Sequence, residues 1–155
     1  MTAPYKQQGV ALLELALSLS LLITITFGIT EFGRAIFQYN TLTKAARDAT
    51  RFLSVRDPSA PGAVAEAKCM AVYGNPTCTG NPLVAGLALS MVSVCYAADP
   101  ACAATHQSQG VSPVINLVTV TIGGANNFYS FTSAFSFIVP TFEFSAISVT
   151  MRQVL

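Results

Sequence analysis

Charge is scarce in this chain: Asp, Glu, Lys and Arg make up only 10% of its 155 residues, against about 25% in an average soluble protein. Between Lys68 and Glu143 the one charged residue is Asp99. A formal net charge of +1 gives a phosphate backbone nothing to attract it, which argues against nucleic acid as a partner. A surface this poor in charge has two readings. It is either a neutral extracellular domain solvated by Ser, Thr, Asn and Gln, or a domain whose sides are covered by neighbouring subunits.

The parts of an enzyme are missing too. The single histidine, His106, stands in a Ser/Gln-rich loop with Asp99 as the nearest acid. No Gly-x-Ser-x-Gly, His-Glu-x-x-His or Gly-x-x-x-x-Gly-Lys motif occurs, so the nucleophile, metal and phosphate chemistries those patterns serve have no framework here. The carboxylates are too few and scattered for paired acid/base work. Neither catalysis nor a cofactor is expected. Asn75 is no N-glycosylation acceptor, because proline follows it.

Cysteine is present as a clustered, even set: Cys69, Cys78, Cys95 and Cys102. Such a set points to disulfides and an oxidising compartment. Of the three possible connectivities, the sequential one, Cys69 with Cys78 and Cys95 with Cys102, closes two short loops. The rival is a metal site with His106 as an extra ligand. It is disfavoured because the short Cys-x-x-Cys knuckle typical of zinc is absent.

The long apolar run is the strongest positive feature. Residues 10–30 read VALLELALSLSLLITITFGIT and carry one charge, Glu14. That matches the roughly 20 residues a helix needs to cross the hydrocarbon core. It exceeds the roughly 7–15 residues of a secretory h-region, and no Ala-x-Ala-like site follows. A retained membrane anchor is expected.

Glu14 would cost about 2.5 kcal/mol or more deep in lipid. At the interface it stays hydrated; otherwise it needs a cation. Cleavage after Gly9 would create one, since Val10 would become an amino terminus one helical turn away. A neighbouring subunit's amine could also reach it.

Beyond the span, Phe32, Ala35, Tyr39, Leu42, Ala46, Ala49 and Leu53 recur at spacings of three and four. They predict a continuing helix with a heptad-like stripe, roughly 65 Å long from Val10 at about 1.5 Å per residue. Gly28 and Gly33 inside it suggest close helix packing, although their spacing is not GxxxG. Lys44, Arg47 and Arg51 share one face, with Asp48 placed to pair with Lys44.

Two prolines and a glycine, Pro58, Pro61 and Gly62, end the helix. Residues 63–72 predict a second helix and residues 73–82 a loop. Residues 83–96 read as a strand pair or as a strand after a short turn, and 97–113 as loop. Alternation of Val118, Val120 and Ile122 against Thr119 and Thr121 predicts a strand over 114–122. Gly123-Gly124 and Asn126-Asn127 signal turns. Residues 142–154 alternate again, with a phase shift at Ala146–Ile147 that suggests a bulge. Between these strands Phe128, Phe131, Phe135, Phe137 and Ile138 form an aromatic patch, which is core or, where exposed, a subunit or membrane contact. The expected fold class is α+β, a long N-terminal transmembrane helix packed on a small antiparallel β-sheet domain.

The short leader, Gly9, Val10, and Glu14 five residues after the glycine resemble a type IV prepilin peptidase site. The continuation GITEFGRAIFQYNTLTKAARDATRFLSV (residues 28–55) resembles the TadE-like family, pseudopilins of the tight-adherence (Tad) pilus system, and ISVTMR (147–152) resembles the close of that family. Leu15 and Asp48 depart from the pattern, where an aromatic and a glycine are common.

The resemblance implies a pilin-like division of the chain. Residues 1–9 are the leader, 10–55 the transmembrane and extended helix, and 56–155 an extracytoplasmic domain. It also implies a prepilin peptidase, other pilin subunits, the pilus assembly machinery and membrane lipid as partners. The location it implies is the bacterial inner membrane, single-pass with the C-terminus outside, and then a cell-surface pilus. Glu14 would serve assembly.

The basic residues Arg34, Lys44, Arg47, Arg51 and Arg56 lie on the C-terminal side and by the positive-inside rule favour the opposite orientation. The cysteines and the leader motif favour the outside. The alternative function is a bitopic, non-polymerising membrane protein whose outer domain binds a partner or ligand; it would not need leader removal.

Overall fold

A computed structural model of the chain describes residues 8–107, 115–124 and 127–154. Its dominant element is one unbroken helix, α1 (Gln8–Ser54), of 47 residues, about 70 Å long at ~1.5 Å per residue. Residues 1–7 of the expected leader lie outside the described residues, as do 108–114 and 125–126 of the expected loop, strand and turn.

The remaining elements are α2 (Ala63–Tyr73), β1 (Val92–Tyr96), the one-turn α3 (Ala103–His106), β2 (Leu117–Ile122), β3 (Ser130–Phe131), β4 (Phe142–Glu143) and β5 (Ile147–Arg152). Strands β1, β2 and β5 form an antiparallel sheet with β2 in the centre, and β3 pairs with β4 in a separate two-stranded ladder. The architecture is therefore α+β, a long N-terminal helix packed on a small antiparallel sheet.

The period-two pattern of β2 decides which face meets the helix. Val118, Val120 and Ile122 turn inward and are fully or almost fully buried, against Leu42, Ala45, Ala46, Ala49 and Leu53 of α1 and Ala67, Ala71 and Val72 of α2 in one core. Small alanines on both helices let the backbones approach, and the larger strand residues fill the space between. The outward face is hydroxylic. Thr119 bonds Thr150 at 2.7 Å and Thr121 bonds Ser148 at 3.0 Å.

Glycines set the ends of α2. Gly62 at its start and Gly74 at its end both have positive φ, and the Gly74 N–H donates to the Met70 carbonyl at 3.0 Å. A left-handed glycine here is the ordinary helix stop. The 73–79 loop is organised by Asn75, whose Oδ1 accepts from the Thr79 N–H and from the Thr77 hydroxyl, both at 3.0 Å. The C-terminal end is tied back to the helix: the Val154 N–H donates to the Ser54 carbonyl at 2.9 Å.

Disulfides join Cys69 to Cys78 and Cys95 to Cys102. The first ties α2 to the following loop; the second ties β1 to the start of α3. Non-reducing peptide mapping of protein taken from the cell envelope is expected to return these two pairs. Four free thiols in that sample would contradict both the bonds and an oxidising location.

Of the two readings of the apolar run 83–96, the strand after a turn holds: a short 3₁₀ turn (Leu89–Met91) leads into β1. Other sequence expectations are corrected. The 97–113 loop contains α3. The phase shift at Ala146–Ile147 is not a bulge: Phe142–Glu143 pairs with β3 while Ile147–Arg152 pairs with β2. The chain changes partner there, so its inward face changes too. Phe32 and Tyr39, placed in the stripe by spacing, are 65% and 42% exposed. Gly33 meets nothing within 4 Å, whereas a side chain on Gly28 would touch Ile138. Among the described residues the ion pairs are Arg34–Glu31 and Arg56–Glu66, and Lys44–Asp48 is not one of them.

Candidate membrane and assembly interface

Before Phe27, α1 is exposed and uncovered by the rest of the described chain. It is long and apolar enough to cross a membrane, and its apolar stretch is wholly unburied. A core helix of the same composition would be covered. Its hydroxyls are satisfied within the helix: Ser20 donates to the Ala16 carbonyl at 2.8 Å, Thr24 to Ser20 at 2.9 Å, Thr26 to Leu22 at 2.7 Å and Thr30 to Thr26 at 2.9 Å. Such back-bonding lets serine and threonine lie in hydrocarbon without an unpaired polar group.

Gly9, Val10 and Glu14 are all exposed on this helix. Val10 and Glu14 are separated by four residues, so their side chains fall on one face.

At the other end of the span is a cluster that spacing alone did not reveal. Glu31 is only 3% exposed. One carboxylate oxygen, Oε2, receives the Ser133 hydroxyl at 3.0 Å, the Ala134 N–H at 3.1 Å and the Arg34 guanidinium at 3.1 Å. Arg34 also donates to the Thr132 carbonyl at 2.6 Å and lies over the Phe131 ring, 5.2 Å from its centroid. The Ser133 hydroxyl oxygen in turn accepts the Phe135 N–H at 3.1 Å. Two charges on α1 thus hold residues 131–135 against the helix where the span ends. The available signal was Glu31 and Arg34, three apart on one face, in an otherwise uncharged stretch.

One turn further, Tyr129 donates from its hydroxyl to the Ala85 carbonyl at 2.8 Å and lies 3.2 Å from Gln38 Oε1. Burial pushes its phenol above the usual range, and the nearby Arg34 charge partly opposes this. Beside it, Phe32, Ala35, Ile36 and Tyr39 of α1 join Phe142 and Phe144 to line an open apolar groove of about 170 Å³.

The sulfurs of Cys95 and Cys102 and a ring nitrogen of His106 lie within 4.8 Å of one another. The sulfurs are bonded to each other. The imidazole nitrogens face the Thr105 hydroxyl at 2.8 Å and the Thr119 hydroxyl at 2.7 Å. With no thiolate to offer, the donor set is that of a hydrogen-bonded staple rather than a metal centre.

An apolar helical stretch left uncovered by the chain, continuous with a disulfide-bonded α+β domain, is the build of a pilin-like protein with an N-terminal anchor. Residues 9–51 match the sequence model of the family described as TadE-like protein. That match covers the entire span, the Glu31–Arg34 pair and most of the helix that packs on the sheet. No curated protein and no solved structure matches the chain.

Proposed function

We propose that the protein is a structural subunit, a pseudopilin or minor pilin, of a Tad-type surface pilus. A prepilin peptidase processes it between Gly9 and Val10, and it is assembled with other pilin subunits through α1. The carrying observation is that the segment matching the TadE-like family opens with an apolar stretch left without intramolecular cover, while the rest of it packs on the sheet. The apolar surface of Phe32, Ile36 and Phe37 extends that uncovered face beyond the span. A subunit that packs helix against helix requires such a surface; a freestanding receptor does not.

In this reading the sheet domain lies outside the inner membrane. The basic residue nearest the span, Arg34, is engaged with Glu31 and Thr132, and the next, Lys44, stands ~15 Å further along the helix. Both features weaken the pull of positive charge toward the cytoplasm.

Leader removal is the test. Sequencing the mature protein from cells that make the peptidase should give Val10 as the first residue. A chain still starting at its original end favours the non-polymerising bitopic protein. Gly9→Val should block processing, because a side chain at that position has to fit a peptidase site shaped for glycine.

A further inference from the structure

We infer that the loop formed by Phe135, Phe137, Ile138 and Val139 is a second membrane contact, inserted at the acyl–headgroup boundary of the leaflet facing the sheet domain. The inference rests on reading α1 as a membrane span, and is independent of filament assembly.

The loop's course along α1 carries the argument. Thr132 meets Arg34, Ser133 and Ala134 meet Glu31, the Phe135 ring lies 4.4 Å from the Phe27 ring, and Ile138 lies against Gly28. From Thr132 onward the chain therefore descends the helix from Arg34 toward Phe27. That is seven residues, or about 10 Å at ~1.5 Å per residue. Phe27 and Gly28 belong to the apolar stretch 10–30, so the loop ends level with the last turn of the span. Glu31 and Arg34, the first charges beyond it, mark the depth of the headgroups.

Its chemistry suits that depth. Residues 128–142 carry no charge. Phe137 is 81% exposed, the most exposed large apolar side chain in the described chain. The tip closes on itself, with the Ile138 and Val139 N–H groups donating to the Phe135 carbonyl at 2.9 and 3.0 Å. These two backbone donors are thus satisfied before lipid surrounds them. The Glu31–Arg34 cluster fixes the descending segment, so little ordering entropy remains to be lost on insertion. The occupant is neutral lipid, since nothing here selects an anionic headgroup.

The chain has no tryptophan, so Phe137→Trp in the full protein gives a single reporter. In phosphatidylcholine vesicles its emission should be blue-shifted. It should be quenched more by acyl chains brominated near the headgroup than by deep bromines, and little by aqueous iodide. Leu19→Trp, in mid-span, serves as the reference and should be quenched by deep bromines. If Leu19→Trp responds and Phe137→Trp is instead quenched by iodide, the loop proposal falls and the span stands. If neither responds to brominated lipid, both fall. Shielding of Phe137→Trp from both quenchers that grows with the protein-to-lipid ratio would assign the loop to a second copy and overturn the lipid contact.

Discussion

Replacing Glu14 with alanine or leucine should leave the protein in the membrane while sharply reducing its share in filaments. Insertion should not suffer, because removing a carboxylate from an apolar helix favours the bilayer. Processing should largely persist, since Gly9 and Val10 are unchanged. The loss is expected at assembly. In the proposed assembly, cleavage would leave a Val10 ammonium that enters an apolar helix bundle, with Glu14 one turn away on the same face, or within reach of a neighbour's amine. An ammonium left without its partner typically costs several kcal/mol when buried, less where interfacial water reaches it. A carboxylate in the first turns also suits the positive end of the helix dipole, but that contribution is only about 0.3–1 kcal/mol and would not by itself empty a filament. The measurement is the ratio of filament-bound to membrane-bound subunit. An unchanged ratio would reduce Glu14 to a hydrated interfacial residue.

The second large effect is expected at Glu31. Its Oε2 receives three donors, from Ser133, Ala134 and Arg34. Glu31→Ala removes the acceptor and leaves the Ser133 hydroxyl and the Ala134 N–H facing an apolar surface. Hydrogen bonds to charged groups contribute about 1.5–3 kcal/mol, and unsatisfied buried donors cost a similar amount. Arg34 is half open to solvent and can rehydrate, so a destabilisation of about 2–3 kcal/mol is expected rather than the full cost of breaking a buried ion pair. The loss should be local. Amide hydrogen exchange at Ala134 and Phe135 should accelerate strongly, while β2 in the central sheet keeps its protection. Glu31→Gln retains an acceptor oxygen and should recover part of the protection. Unaltered exchange at Ala134 in the alanine variant would mean that the aromatic contacts, Phe27 with Phe135 and Phe131 with Phe142, hold the loop without the carboxylate.

These two glutamates show how differently the site could be read. Glu14 was visible because a lone charge in an apolar run is conspicuous, and its candidate partner, the amine at Val10, is local in sequence. Glu31 carries no such local sign of its partners. Its partners Ser133 and Ala134 are 102 and 103 residues away, and no local spacing encodes such a pairing.

The same division runs through the fold. The span, the stop after Ser54 and the alternation in β2 follow from composition, from Pro58, Pro61 and Gly62, and from period-two patterning, all short-range effects. The disulfide partners were already close in the chain, so the sequential pairing was the simplest candidate. By contrast, the exposure of Phe32 and Tyr39 depended on how far the domain wraps around α1, which spacing does not specify. The split of residues 142–152 between two sheets depended on β3, a strand too short to leave a pattern of its own. The placement of Phe135 and Ile138 beside the last turn of the span depended on a charged clamp between distant segments. Local pattern determined α1, α2, the alternation of β2 and the apolar stretch long enough to span a membrane. Long-range packing and one buried carboxylate decided which of the remaining apolar residues are core and which are left exposed.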